Sequence, residues 1–264
     1  MSGNVVALTA AVAMIALPAF AADTSPRLAV PYTATQMVTG HVEMGIGVLS
    51  GSGSGSTDGL FTAAGRANKI LWHGWNMELE AGGAGIFGSS STANGVFSGY
   101  GHFWYMATPG HAFGLFGGAA FASGATVTTL GLEGKAHLGP LSIAGEVADN
   151  FATGGGGSFW LTGLSAASYL NSNTRIGIGA TFVGGNGLGL ANTGTVVTAD
   201  AEHRFFDPIS AWGSLSYITG GSGGGGNAWA GLVGLRIFAE APGGSLRAHD
   251  DIVPWHFNNA LRAY

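Results

Sequence analysis

Residues 129–147 read Thr-Leu-Gly-Leu-Glu-Gly-Lys-Ala-His-Leu-Gly-Pro-Leu-Ser-Ile-Ala-Gly-Glu-Val. Glu133, Lys135 and His137 hold every second position, and Leu130, Leu132 and Leu138 hold the other parity. Beyond Gly139-Pro140 the alternation resumes, with Leu141, Ile143 and Val147 against Glu146. A strand points successive side chains to opposite faces, so this stretch reads as two strands around a tight turn, each with one polar and one apolar face. In a soluble sandwich the polar face would meet water and carry Lys and Glu in abundance. Soluble domains are about 25% charged, whereas this chain of 264 residues is 9% charged. So few charges suffice to line the inside of a closed barrel whose outside faces lipid.

The same period-2 rows recur along the chain. His41 and Glu43, then Asn76, Glu78 and Glu80, then Asp200, Glu202 and Arg204, are each interleaved with apolar or small residues. Turn chemistry between the rows predicts strands near 38–49, 58–68, 74–83, 96–107, 111–122, 126–138, 141–151, 158–169, 173–183, 195–206, 209–219 and 228–239. Each is long enough to cross a bilayer at a tilt. Connections after even-numbered strands are tight, as at Thr108-Pro109-Gly110, Gly139-Pro140, Asn171-Ser172-Asn173 and Asp207-Pro208. Those after odd-numbered strands are long and rich in Gly and Ser, as at residues 51–59, 87–95 and 220–226. The expected fold is therefore all-β: a single transmembrane antiparallel up-and-down barrel of about 12 strands (about 10–14), with short periplasmic turns and Gly-rich outer loops, both termini on the periplasmic side.

Composition excludes several alternatives. The mean hydropathy of +0.32 is high, but beyond residue 22 no apolar run reaches the roughly 18 residues of a transmembrane helix. Residues 1–22 read as a signal peptide, with an apolar stretch from Val5 to Leu17 and a small-x-small site at Ala19-Phe20-Ala21. Its leading segment lacks the usual Lys or Arg. Residues 23–37 form a periplasmic lead, 38–239 the barrel and 240–264 a periplasmic tail, read as unstructured, as a plug or as a peptidoglycan contact. The absence of Cys removes disulfides and lipoprotein anchoring. A net charge of -5 without a basic patch argues against a nucleic-acid partner.

Register follows from the charges, because a slip of one residue would send them into lipid. The lumen-lining set is then His41, Glu43, Arg66, Asn76, Glu78, Glu80, His102, Glu133, Lys135, His137, Glu146, Arg175, Asp200, Glu202, Arg204 and Arg236, with Asn68 beside Arg66. Val42, Met44, Ile46, Trp75, Met77, Leu79, Ile176, Ile178, Val233, Leu235 and Ile237 face outward. His203 is an outlier whose parity points it outward, at headgroup level. Aromatic residues near strand ends, among them Trp75, Tyr105, Phe159, Trp160, Tyr169, Phe205 and Tyr217, suit interfacial girdles.

Seven acids against five bases leave the lumen at -2 with His neutral. Opposed acidic and basic walls around a narrow water-filled pore would set ion and solute selectivity. Alternatively, the same groups pair across the lumen and close it. Inward glycines, Gly45, Gly47, Gly177 and Gly179, leave room for the pore reading.

The segments GRANK (65–69), HGWNMELEAGG (73–83), SGYGHFWYM (98–106), GHAFGLFGG (110–118) and residues 129–147 resemble the porin-like outer-membrane proteins of alphaproteobacteria. That resemblance covers roughly residues 60–150 and otherwise extends to architecture alone. It implies passive diffusion of small solutes or ions in the outer membrane of a Gram-negative bacterium. Outer-membrane lipid and the barrel-assembly machinery are then the partners, with no catalytic residues, metal or cofactor. The chain departs from the usual pattern at its end, where the last strand closes on Phe238 and residues 239–264 follow. The rivals are an enzymatic barrel, which lacks a His in any outer loop, and a secreted Gly-rich β protein.

Overall fold

The computed structural model describes the strands and the residues beside them between 38 and 239, together with Leu246, His249 and Asp250. The signal and lead segments, residues 1–37, lie outside the described residues, as does most of the tail. Twelve antiparallel strands run β1 Val38–Gly51, β2 Thr57–Ile70, β3 Trp75–Phe87, β4 Asn94–Thr108, β5 His111–Ala122, β6 Ala125–Leu138, β7 Leu141–Ala152, β8 Ser158–Asn171, β9 Thr174–Gly185, β10 Gly194–Phe206, β11 Ile209–Thr219 and β12 Ala228–Ala239. Each pairs with its sequence neighbours, and β1 pairs with β12, so the sheet closes with no free edge. No described helix is long and apolar enough to cross a membrane.

One expectation about the connections fails. Only residues 123 and 124 separate β5 from β6 at the end where the other connections are longer, so long and short links do not alternate strictly. We call this the long-loop end, and the opposite one, where β1 starts and β12 stops, the tight-turn end. Three bulges, at Met106/Thr108, Tyr169/Asn171 and Arg204/Phe206, all fall at the tight-turn end. An extra residue there sharpens the twist of a strand entering its turn.

The alternation separates the two faces. On the outside, Val42, Met44, Ile46 and Val48 are each more than half exposed, as are Leu79, Leu130, Leu132, Ile178, Val233 and Leu235. Water would not tolerate so continuous an apolar surface on a monomer. Charged or histidine side chains of outward parity among the described strand residues are Lys69, His111, Asp149 and His203, each toward a strand end. His203 hydrogen-bonds Thr174 Oγ1 through Nδ1 at 2.9 Å and sits edge-on to Phe205. Trp75 stacks on Phe103 with centroids 4.7 Å apart and leans on Tyr105, which meets Phe113, giving an aromatic ladder at the tight-turn end. Tyr169 is no part of such a girdle: it turns inward and is buried, because its parity follows Ala167 and Ser165.

Candidate functional site

Pairing between neighbouring strands decides where each inner charge goes. Glu43 and Arg236 are cross-strand partners, as are Arg175 and Glu202, Arg66 and Glu80, and Glu78 and His102. Directly opposed residues lie close enough for their side chains to meet without crossing the bore. Arg236 donates to Glu43 Oε2 from Nε at 2.9 Å and from Nη2 at 2.5 Å, and to Glu202 Oε2 from Nη1 at 2.5 Å. Glu202 also accepts from Arg175 Nη2 at 3.1 Å and from Ser210 Oγ at 2.6 Å. Arg175 reaches Asp200 at 3.3 Å. Arg204 pairs with Asp207 in the turn, and its guanidinium lies 4.8 Å from the centre of the Phe238 ring. This wall runs from β1 through β12 to β9.

A second wall lies on β2 to β6. Arg66 Nε meets Glu80 Oε2 at 3.0 Å, and His102 Nδ1 meets Glu133 Oε1 at 2.8 Å. His102 stacks on Phe116 with centroids 5.6 Å apart. Glu78, Glu80 and His102 can each present one ligand atom, all within 4.8 Å of one another, so this is where a cation would find oxygen and nitrogen together. Arg66 and Glu133 already engage two of the three, which makes the group a hydrogen-bonded polar layer. Asn76 and His137 are buried on the inner face, where Asn76 donates from Nδ2 to Gly74 O at 3.1 Å. Glu146 is half-buried opposite Glu133.

Two expectations about the lumen are corrected by this geometry. The charges do not segregate into an acidic wall and a basic wall: cations and anions are mixed within each wall, with Arg66 beside Glu80 and Arg175 beside Glu202. Nor do Gly45, Gly47 and Gly177 leave empty room. A Cβ at Gly45 would lie 2.8 Å from Trp212 Cη2, and one at Gly234 would lie 2.7 Å from the same indole, so both make space for Trp212. At Gly177 the Asp200 carboxylate occupies the equivalent space.

Reading charges alone also misses half of the inner face. Leu60, Ala84, Trp212 and Leu232 form one apolar cluster, and Tyr100, Phe116, Ala148 and Leu161 a second. Leu60, Ala84, Ala148 and Leu161 are nearer the long-loop end, and Trp104 is buried beside His102. Parity would have found them, since Trp104 follows His102 by two and Trp212 follows Ser210 by two. The bore is thus narrowed by apolar groups toward one end and by ion pairs toward the other.

The third cluster brings in residues far away in sequence. Leu246 packs on Tyr169 and Phe238, and its amide donates to Ser172 O at 2.9 Å. His249 Nε2 lies 3.3 Å from His41 Nδ1 and its ring is edge-on to Phe238. Asp250 accepts hydrogen bonds from the Tyr169 hydroxyl and, at 3.4 Å, from Arg175 Nη1 through its carboxylate, while its carbonyl accepts from Lys135 Nζ. The described part of the C-terminal segment therefore sits inside the tight-turn end.

A closed twelve-strand barrel, apolar outside and ion-paired inside, defines the class: the fold of outer-membrane porin barrels. Solved structures show the same fold. The chain superposes on an outer-membrane channel from Pseudomonas putida F1 with a TM-score of 0.59 at 10% identity, over 76% of this chain and 95% of that one. For the NanC porin the TM-score is 0.57 at 9% identity, over 74% and 98%. The KdgM porin in complex with disordered oligogalacturonate gives 0.55 at 8%, over 75% and 98%. No family model matches the sequence. No curated protein matches it either.

Proposed function

We propose that the chain is an outer-membrane channel through which small solutes or ions diffuse passively along a narrow, charge-lined lumen. The observation that carries this reading is the division of faces: continuous apolar surface outside, and Glu43, Glu133, Lys135, Arg175, Glu202 and Arg236 inside the same closed ring. Burying so many ion pairs costs desolvation that a merely structural interior would avoid with apolar side chains. Solved barrels of this fold named as porins or channels support the reading. The same reading includes a Gram-negative outer membrane, termini on the periplasmic side, and lipid and the barrel-assembly machinery as partners, and it assigns no catalytic residues.

The second reading, a closed structural barrel, is favoured by one observation. Asn68, Asn76 and Glu78 are fully buried, so the inner face is crowded. Planar-bilayer recording of the full chain, shown to be folded by heat-modifiable migration, separates the two readings. Discrete single-channel steps with a weak cation preference are expected. Folded protein that never conducts contradicts the channel.

A further inference from the structure

We propose that Leu246, His249 and Asp250 form a releasable latch across the tight-turn end of the lumen, and that its release opens the conducting path. This rests on the channel reading above.

The position of its partners around the ring carries the argument. Three described residues of the segment touch β1 through His41, β6 through Lys135, β8 through Tyr169, β9 through Arg175 and β12 through Phe238, with Ser172 in the turn between β8 and β9. In a ring ordered β1 to β12, strands β6 and β12 stand opposite each other. A segment that reaches both crosses the bore; it does not lie along one wall. Leu246, His249 and Asp250 are each buried to within a few per cent of completely, so the crossing is tightly packed.

Releasability follows from what the segment does not do. The barrel closes through the β1–β12 ladder, from Gly40↔Ala239 to Gly51↔Ala228, and among the described residues none beyond 239 takes part in that ladder. Arg175 keeps Asp200 and Glu202 when Asp250 departs. The latch is polar: a carboxylate held by a phenol and a guanidinium, and a carbonyl held by an ammonium. Such contacts exchange readily for water once the segment moves outward.

The chain has no Cys, so one introduced thiol reports cleanly. The full chain carrying Leu246→Cys is reacted in detergent micelles with a bulky hydrophilic maleimide, alone and combined with Asp250→Ala. The latch predicts slow labelling alone and about tenfold faster labelling in the combined variant, the effect of losing roughly 1.4 kcal/mol. Bilayer recording should show a matching rise in open time for Asp250→Ala. Tyr169→Phe, which keeps the ring and removes the hydroxyl, should move both readings the same way, and heat-modifiable migration confirms that each variant has folded. Equal labelling with and without Asp250 overturns the latch. Faster labelling with unchanged conductance overturns the claim that release opens the path, and faster labelling in a barrel that conducts in neither form overturns the channel reading instead.

Discussion

The two inner walls are written in the same period-2 charge pattern and put it to different uses. On β2 to β6, Arg66 answers Glu80 and Glu133 answers His102, so the pairs are local. From β1 through β12 to β9, Arg236 bridges two carboxylates and Arg175 holds three, one of which belongs to the tail. The first wall meets the tail through Lys135 on β6. The other wall meets it through His41, Arg175 and Phe238, so its ion-pair network runs on into the proposed latch while Lys135 contributes a contact from across the bore.

The largest effect should come from cutting the bridging wall at its centre. Arg236→Ala leaves Glu43 and Glu202 buried without their shared cation, a loss of about 3–5 kcal/mol, seen as a lower denaturant midpoint in lipid. Arg66→Ala removes one pair and should cost less. Equal losses would break the comparison between the walls.

Next comes the latch. Asp250→Ala should release the segment at a cost of roughly 1.4 kcal/mol in docking, the tenfold change in labelling given above. The barrel's own denaturant midpoint should stay close to that of the unaltered chain. Glu133→Gln on the other wall should do the reverse, lowering the midpoint without exposing a thiol at position 246.

Acid should mimic the latch variant more weakly. Burial, with Arg236, Arg204 and Lys135 adding to it and Asp250 opposing, holds His249 down to about 4 from 6.5. A docked segment therefore binds fewer protons than a free one below 6.5, so docking is fully stable above that value and weakens as pH falls toward 4. Asp250 adds the same sign: burial alone would raise it, but Arg175 and Lys135 more than offset that and lower it, so protonation at still lower pH also favours release. The groups facing this pair are His41 on β1, Lys135 on β6, Tyr169 on β8, Arg175 on β9, Arg204 on β10 and Arg236 on β12. Labelling at position 246 should accelerate between about pH 6.5 and 4. His249→Gln should flatten that rise, and an unchanged pH profile in the variant would show the proton acting elsewhere.

The smallest effect is expected from the local pairs on β2 to β6. Glu78→Gln with Glu80→Gln should weaken the cation preference of the conductance, read from the reversal potential in a salt gradient. A larger change from this pair than from Asp250→Ala would put the selective constriction on β2 to β6.

Much of this could be read from the residues alone. Strand number and ends follow from alternation and turns, even for β2, where the run Leu60–Ala64 hardly alternates. The parity of the charged residues was equally plain, because a charge cannot face lipid cheaply. What stayed hidden lay outside the charge pattern or had no local signal at all. The two-residue link after β5 looks like any Gly-containing turn, and Tyr169 resembles a girdle residue until its inward contact is seen. Trp212 fills the space beside Gly45 and Gly234 from another strand. Asp250 finds its partners at positions 135, 169 and 175, separations that no periodicity encodes.

The central claim is that ions pass through the inside of this barrel, and single-channel recording of the full chain beside Asp250→Ala tests it most directly. Brief steps of weak cation preference in the unaltered chain, with markedly longer openings in the variant, are the predicted result. Silence from both proteins, each shown to be folded by heat-modifiable migration, would contradict it.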